Sequence, residues 1–283
     1  MISQITERQS LRPTATRRYP SVRYFLWTFA ISWTGALAVV APRILRGEPV
    51  PKFAGLMMFP VMLLGPSIAG ILLTWLTVGK NGVSSLAGRM RPFRSPVGWY
   101  TALLIPPVLI WCVLLVLQAR VSPVFAPNHF WIGLSFGIAA GFVEEIGWMG
   151  YAFPTMTSRH NVLSCAVALG VLWGIWHLPV IDYLGTATPH GSYWFRYFLA
   201  FTVTMTAMRV LICWIYTNTK SLWLCQLMHV VSTGSLVVFS PIGVKASQET
   251  FWYAVYAGVL WATVLVVVLV WGTEFKRPRA SNA

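Results

Sequence analysis

Long apolar runs separated by short polar or proline-bearing stretches organise this chain. A helix needs about 20 apolar residues to cross the hydrocarbon core of a bilayer. Eight runs approach that length, at roughly 24–41, 54–78, 99–118, 130–156, 162–184, 194–216, 221–240 and 251–272. Pro60, Pro66, Pro106 and Pro107 lie inside the second and third runs and predict kinks there. The pattern predicts an all-α polytopic membrane protein. Residues 1–283 form one membrane domain, a bundle of about eight transmembrane helices, with no length left for a soluble domain.

Composition agrees. The chain is 57% hydrophobic and 10% charged, where soluble domains carry about 25% charged residues. The net charge of +14 raises the question of nucleic acid. The Lys and Arg sit in tails and loops, as topology determinants do, so anionic lipid is the expected counter-charge and no nucleic-acid partner is expected. Residues 1–22 form a basic tail with Arg8, Arg12, Arg17 and Arg18, followed by Arg23. This tail is long and the run after it can span, so an uncleaved first helix is expected. Counted across eight spans, the tails, the Lys80–Arg94 group, Arg159 and Lys220 share the more basic side. That places both termini in the cytoplasm and the chain in the cytoplasmic membrane. The basic stretch 80–95 reads either as an amphipathic helix on the membrane surface or as a solvated loop. Cys112, Cys165, Cys213 and Cys225 all fall in apolar runs and read as buried thiols.

Against this background the ionisable residues inside the runs stand out. A charge at the bilayer centre costs about 2.5–3.5 kcal/mol or more, so it needs a partner, water or a function. The fourth run holds two of the chain's seven acidic residues, Glu144 and Glu145. The fifth holds His177, with Asp182 nearer its outer end; the sixth holds Arg209; the seventh holds His229. At about 1.5 Å per residue these positions fall at similar depth, so they can line one central polar cavity. Adjacent glutamates on a helix are turned about 100° apart, so Glu144 and Glu145 have different surroundings. Residues four apart share a face: Glu145 with Met149, Trp173 with His177, His229 with Thr233.

Three motifs in order, EEIGWMG (Glu144–Gly150), WGIWH (Trp173–His177) and HVVST (His229–Thr233), resemble those of the CAAX-protease and bacteriocin-processing (Abi) family of intramembrane endopeptidases. The resemblance covers residues 130–240. It implies that Glu144 and His177 activate water, that His229 and Thr233 stabilise the oxyanion, and that Glu145, Arg209 and Trp173 support them. The implied substrate is a membrane-associated peptide or prenylated protein. Two positions depart from the pattern: Met149 stands where the family has Arg, and Thr233 where it has Asn. Arg209 is a candidate to replace the missing cation from the next helix but one. A zinc mechanism with Glu144, His177 and His229 as ligands stays open, so no cofactor is certain and zinc is the alternative. Other readings also stand. One is a non-catalytic relative acting as an immunity or partner-binding protein. Another is a proton-coupled transporter, since buried Glu, Arg and His also build such pathways, although the paired repeats common in transporters are not evident.

Overall fold

The computed structural model describes residues 20–50, 52–91, 96–181 and 190–276, with the backbone alone for residues 52–56. Most of the basic tail, Arg94, Asp182, Arg277 and Arg279 lie outside the described residues. The described chain is helical: α1 (Pro20–Leu45), α2 (Lys52–Val78), α3 (Lys80–Arg89), α4 (Ile105–Arg120), α5 (Gly133–Gly147), α6 (Phe153–Thr157), α7 (Val162–Trp176), α8 (Trp194–Thr219), α9 (Leu222–Phe239) and α10 (Ala246–Trp271). Helix α8 is the innermost, with every residue from Thr204 to Tyr216 buried.

The count of eight spans is not carried over. Six helical stretches among the described residues are long and apolar enough to cross a membrane. The two apolar runs that hold Glu144, Glu145 and His177 fall short. Helices α5 and α7 have 15 residues each; α7 alone rises about 22 Å against a core of about 30 Å, whereas α5 continues through a π turn into α6 as far as Thr157. Prolines account for both breaks. Pro179 follows closely on α7 and disfavours helical backbone at the residue before it. Pro154 has no N–H to give the Gly150 carbonyl, and its ring crowds that carbonyl. Between α5 and α6 the backbone widens into a π-helical turn, Trp148–Ala152, the kind of bulge that often marks functional sites.

Carbonyls stranded by proline are satisfied from neighbouring helices, as an apolar surround requires. Arg89 Nη2 donates to the Gly150 carbonyl at 2.8 Å. Pro66 similarly leaves Met62 without its usual donor, and Ser32 Oγ of α1 bonds that carbonyl at 2.8 Å. Within the helical stretch Gly98–Arg120, a 3₁₀ turn at Ala102–Leu104 gives way to α4 where Pro106 and Pro107 sit in its first turn, the irregularity falling where these prolines withhold their N–H groups. The stretch 80–95 is helical as far as Arg89, and its Leu86 is buried at 2% exposure, so α3 is docked on the bundle as well as basic.

Close helix approach sets the register of the core. On α5, Gly137 and Gly141 face the backbone of α9 at Val230 and Gln226. On α7, Gly170 and Gly174 face Thr206 and Thr202 of α8. Small residues at a spacing of four let helices approach without side chains between them. The result is that α5 and α9 carry Glu145 alongside His229, and α7 and α8 carry Trp173 alongside Arg209. Gly147 is wedged against the Pro66 carbonyl of α2, with the Tyr24 hydroxyl beside it. Gly147→Ala is expected to force α2 and α5 apart and lower stability by about 1–3 kcal/mol, read as a fall in the thermal unfolding midpoint in detergent micelles.

Candidate active site

Glu144 and Glu145 are both fully buried, yet their surroundings differ as the 100° turn between them demands. Glu145 is held by charge. Arg209 Nη1 reaches its two oxygens at 2.7 and 2.8 Å, and His229 Nδ1 lies 2.7 Å from its Oε1. Glu144 is held by neutral donors. Its Oε2 accepts from Trp173 Nε1 at 2.8 Å and Trp148 Nε1 at 3.0 Å, while its Oε1 is buried with no hydrogen bond. One carboxylate is committed to an ion pair; the other keeps a free oxygen.

Trp173 ties the cluster together. Its ring lies 4.1 Å beneath the Arg209 guanidinium, a cation–π contact. The same ring is 5.0 Å from the His229 ring and 5.4 Å from the His177 ring. His177 caps the end of α7. Its backbone N–H bonds the Gly174 carbonyl, and its Nδ1 lies 2.8 Å from the Trp173 carbonyl oxygen. A carbonyl only accepts, so Nδ1 carries a proton, and in the neutral ring Nε2 carries the lone pair.

The expected residues therefore gather: Glu144, Glu145, Trp173, His177, Arg209 and His229 form one contiguous cluster from four helices. Thr233 is less engaged. It sits one turn beyond His229, half-buried, and has no side-chain hydrogen bond among the described residues. Arg209 does supply Glu145 with the cation that Met149 does not. Met149 is buried beside Cys213 of α8, sulfur to sulfur at 3.9 Å, one turn beyond Arg209.

Two contributors lay outside the sequence expectations. Trp148 follows Glu144 by four residues, and that spacing carries the signal for its bond. Arg89 has no comparable signal. It joins α3 to Gly150, and its Nη1 lies 2.7 Å from the Tyr216 hydroxyl of α8. Arg89→Met is expected to strand the Gly150 carbonyl at a cost of about 1–3 kcal/mol and to raise amide exchange across Trp148–Ala152, while Arg89→Lys recovers part of both, as followed by hydrogen exchange mass spectrometry.

Among the described residues no group of three or more His, Cys, Asp or Glu side chains is placed to hold a metal ion. Glu145's oxygens are taken by Arg209 and His229, and Glu144 Oε2 by two indoles.

The fold and this cluster define a multi-pass helical membrane protein with a buried polar centre. Residues 126–235 match the family described as Type II CAAX prenyl endopeptidase Rce1-like. A curated relative from Methanococcus maripaludis, CAAX prenyl protease 2, is 32% identical over 100 residues, which cover 32% of this chain and 34% of the relative. The match thus spans about a third of that relative's length. Both comparisons liken the chain to CAAX proteases, and the family match covers every residue of the cluster.

Proposed function

We propose that the chain is an intramembrane endopeptidase of the cytoplasmic membrane, with both termini in the cytoplasm, that hydrolyses a peptide bond of a membrane-associated, prenylated or otherwise lipidated peptide. The observation that carries this reading is the free Oε1 of Glu144, buried in a layer with two histidines inside the segment that resembles CAAX proteases. Glu144 Oε1 takes a proton from a water that also donates to His177 Nε2. The water oxygen attacks the scissile carbonyl carbon. The developing oxyanion accepts from His229 Nε2–H and Thr233 Oγ1–H. Glu144 then returns the proton to the leaving amine. The indole N–H groups of Trp148 and Trp173 hold the carboxylate in place throughout.

For His229 to donate from Nε2 while Nδ1 bonds Glu145, the ring has to carry both protons. Glu145 is the counter-charge that allows it. Two glutamates, Arg209 and a doubly protonated His229 then balance, as a desolvated cluster requires. No step is routed through a metal.

The Met149 and Thr233 positions favour a second reading, a non-catalytic relative that binds a membrane partner. A comparison of small membrane peptides from cells making the native chain with those from cells making Glu144→Gln separates the two. The enzyme reading expects a precursor that accumulates and a fragment that disappears. Identical peptide profiles, with the biological effect retained, support the binding protein instead.

A further inference from the structure

A recess remote from the glutamates lies where the chain before α4 meets the ends of α8 and α10. It has a volume of about 570 Å³, and Trp99, Ala102, Ile105, Trp214 and Trp271 are among its lining residues. The three indoles cluster, with ring centres 5.0 Å apart for Trp99 and Trp214, 5.6 Å for Trp99 and Trp271, and 5.7 Å for Trp214 and Trp271. Tryptophan at a helix end is the usual occupant of the membrane interface. One of these indoles is unsatisfied. Trp214 is 9% exposed, and its Nε1 is buried without a hydrogen-bond partner. An N–H left without an acceptor in an apolar surround is costly. The acceptors that a bilayer offers near its surface are the ester and phosphodiester oxygens of lipids.

Charge at the same end of the bundle points to the kind of lipid. Lys220 closes α8 less than two turns beyond Trp214, and Lys276 follows shortly after Trp271. Partial burial and then the charge of Lys276 push Lys220 below the usual lysine range, so the two ammonium groups feel each other. The nearby carboxylate of Glu274 is bonded to Asn161. Two mutually repelling cations at the same end of the bundle as an apolar recess, Lys220 with its Nζ 5.4 Å from the Tyr216 ring, invite an anion with a hydrocarbon tail.

We propose that this recess binds one anionic phospholipid. The phosphate lies against Lys220 and Lys276, a lipid oxygen accepts from Trp214 Nε1, and an acyl chain lies in the recess against the faces of the indole cluster and Ile105. The site is separate from the glutamate cluster, so it is testable whether or not the chain cleaves peptides.

The test uses the full chain, purified in neutral detergent and titrated with phosphatidylglycerol, phosphatidylcholine or inorganic phosphate. Native mass spectrometry counts what is retained, and thermal unfolding reads the effect. One phosphatidylglycerol is expected to bind saturably, about tenfold more tightly than phosphatidylcholine, and Trp214→Phe is expected to weaken it about tenfold. The double variant Lys220→Gln/Lys276→Gln changes exposed side chains only and should fold. It is expected to abolish the preference for the anionic lipid. Equal binding of the two lipids, unchanged binding by the lysine variant, or retention of inorganic phosphate without lipid would each overturn the proposal.

Discussion

Glu144→Gln is expected to lower kcat on a lipidated reporter peptide by about 10²–10⁴-fold, leaving KM and the unfolding midpoint close to those of the native chain. The amide keeps the shape of the carboxylate and an oxygen that accepts from Trp148 and Trp173, so the cluster should hold together. What it loses is a basic oxygen in place of Oε1, the atom without a hydrogen bond. Glu145→Gln should behave differently. It discharges the partner of Arg209 and His229, so the loss of activity should come with a loss of stability. Michaelis kinetics and thermal unfolding on both variants separate a base from a buried counter-ion. Equal behaviour of the two would contradict the roles assigned here.

Arg209→Met is expected to be the most damaging single change to the fold. The guanidinium and Glu145 are both completely buried, and removing one member of such a pair costs about 3–5 kcal/mol because the other charge is left without compensation. The contact of Arg209 with the Trp173 ring goes as well. Position 149 suggests the rescue. Met149 packs against α8 at Cys213, so Met149→Arg in the Arg209→Met background moves the cation from α8 to the π-helical turn that follows α5, one turn from the same carboxylate. The double variant is expected to regain most of the lost unfolding midpoint, and Met149→Arg alone, with two cations facing one Glu145, is expected to be less stable than the native chain. A double variant no more stable than Arg209→Met would show that the two positions do not share Glu145.

Some of this centre can be read along the chain and some cannot. Depth is legible because a helix advances by a fixed rise, so Glu144, Glu145, His177, Arg209 and His229 could be placed in one layer by counting. The pairing of Arg209 with Glu145 follows from the cost of an unpaired charge once Met149 leaves the acid without a cation on its own helix. Which oxygen is free is not legible. That depends on Trp148 and Trp173 arriving from two helices, and on the π-helical turn that resets the face of α5 just after the glutamates. The six long apolar helices among the described residues, where eight runs are apolar, have a related reason. Pro154 and Pro179 cut apolar runs that hydropathy alone joins. Arg89 was beyond reach because one of its partners is a backbone carbonyl, which leaves no mark in residue types, and the other, the Tyr216 hydroxyl, lies 127 positions away in the chain.

The central claim is that Glu144 activates a water rather than attacking the peptide itself, and one turnover in ¹⁸O-water tests it directly. Enzyme in excess over a lipidated peptide, quenched after a single round and read by mass spectrometry, should give a product whose new carboxylate carries one ¹⁸O, with no label in the peptide containing Glu144. An unlabelled product with ¹⁸O in Glu144, or no product from the native chain, would contradict the account.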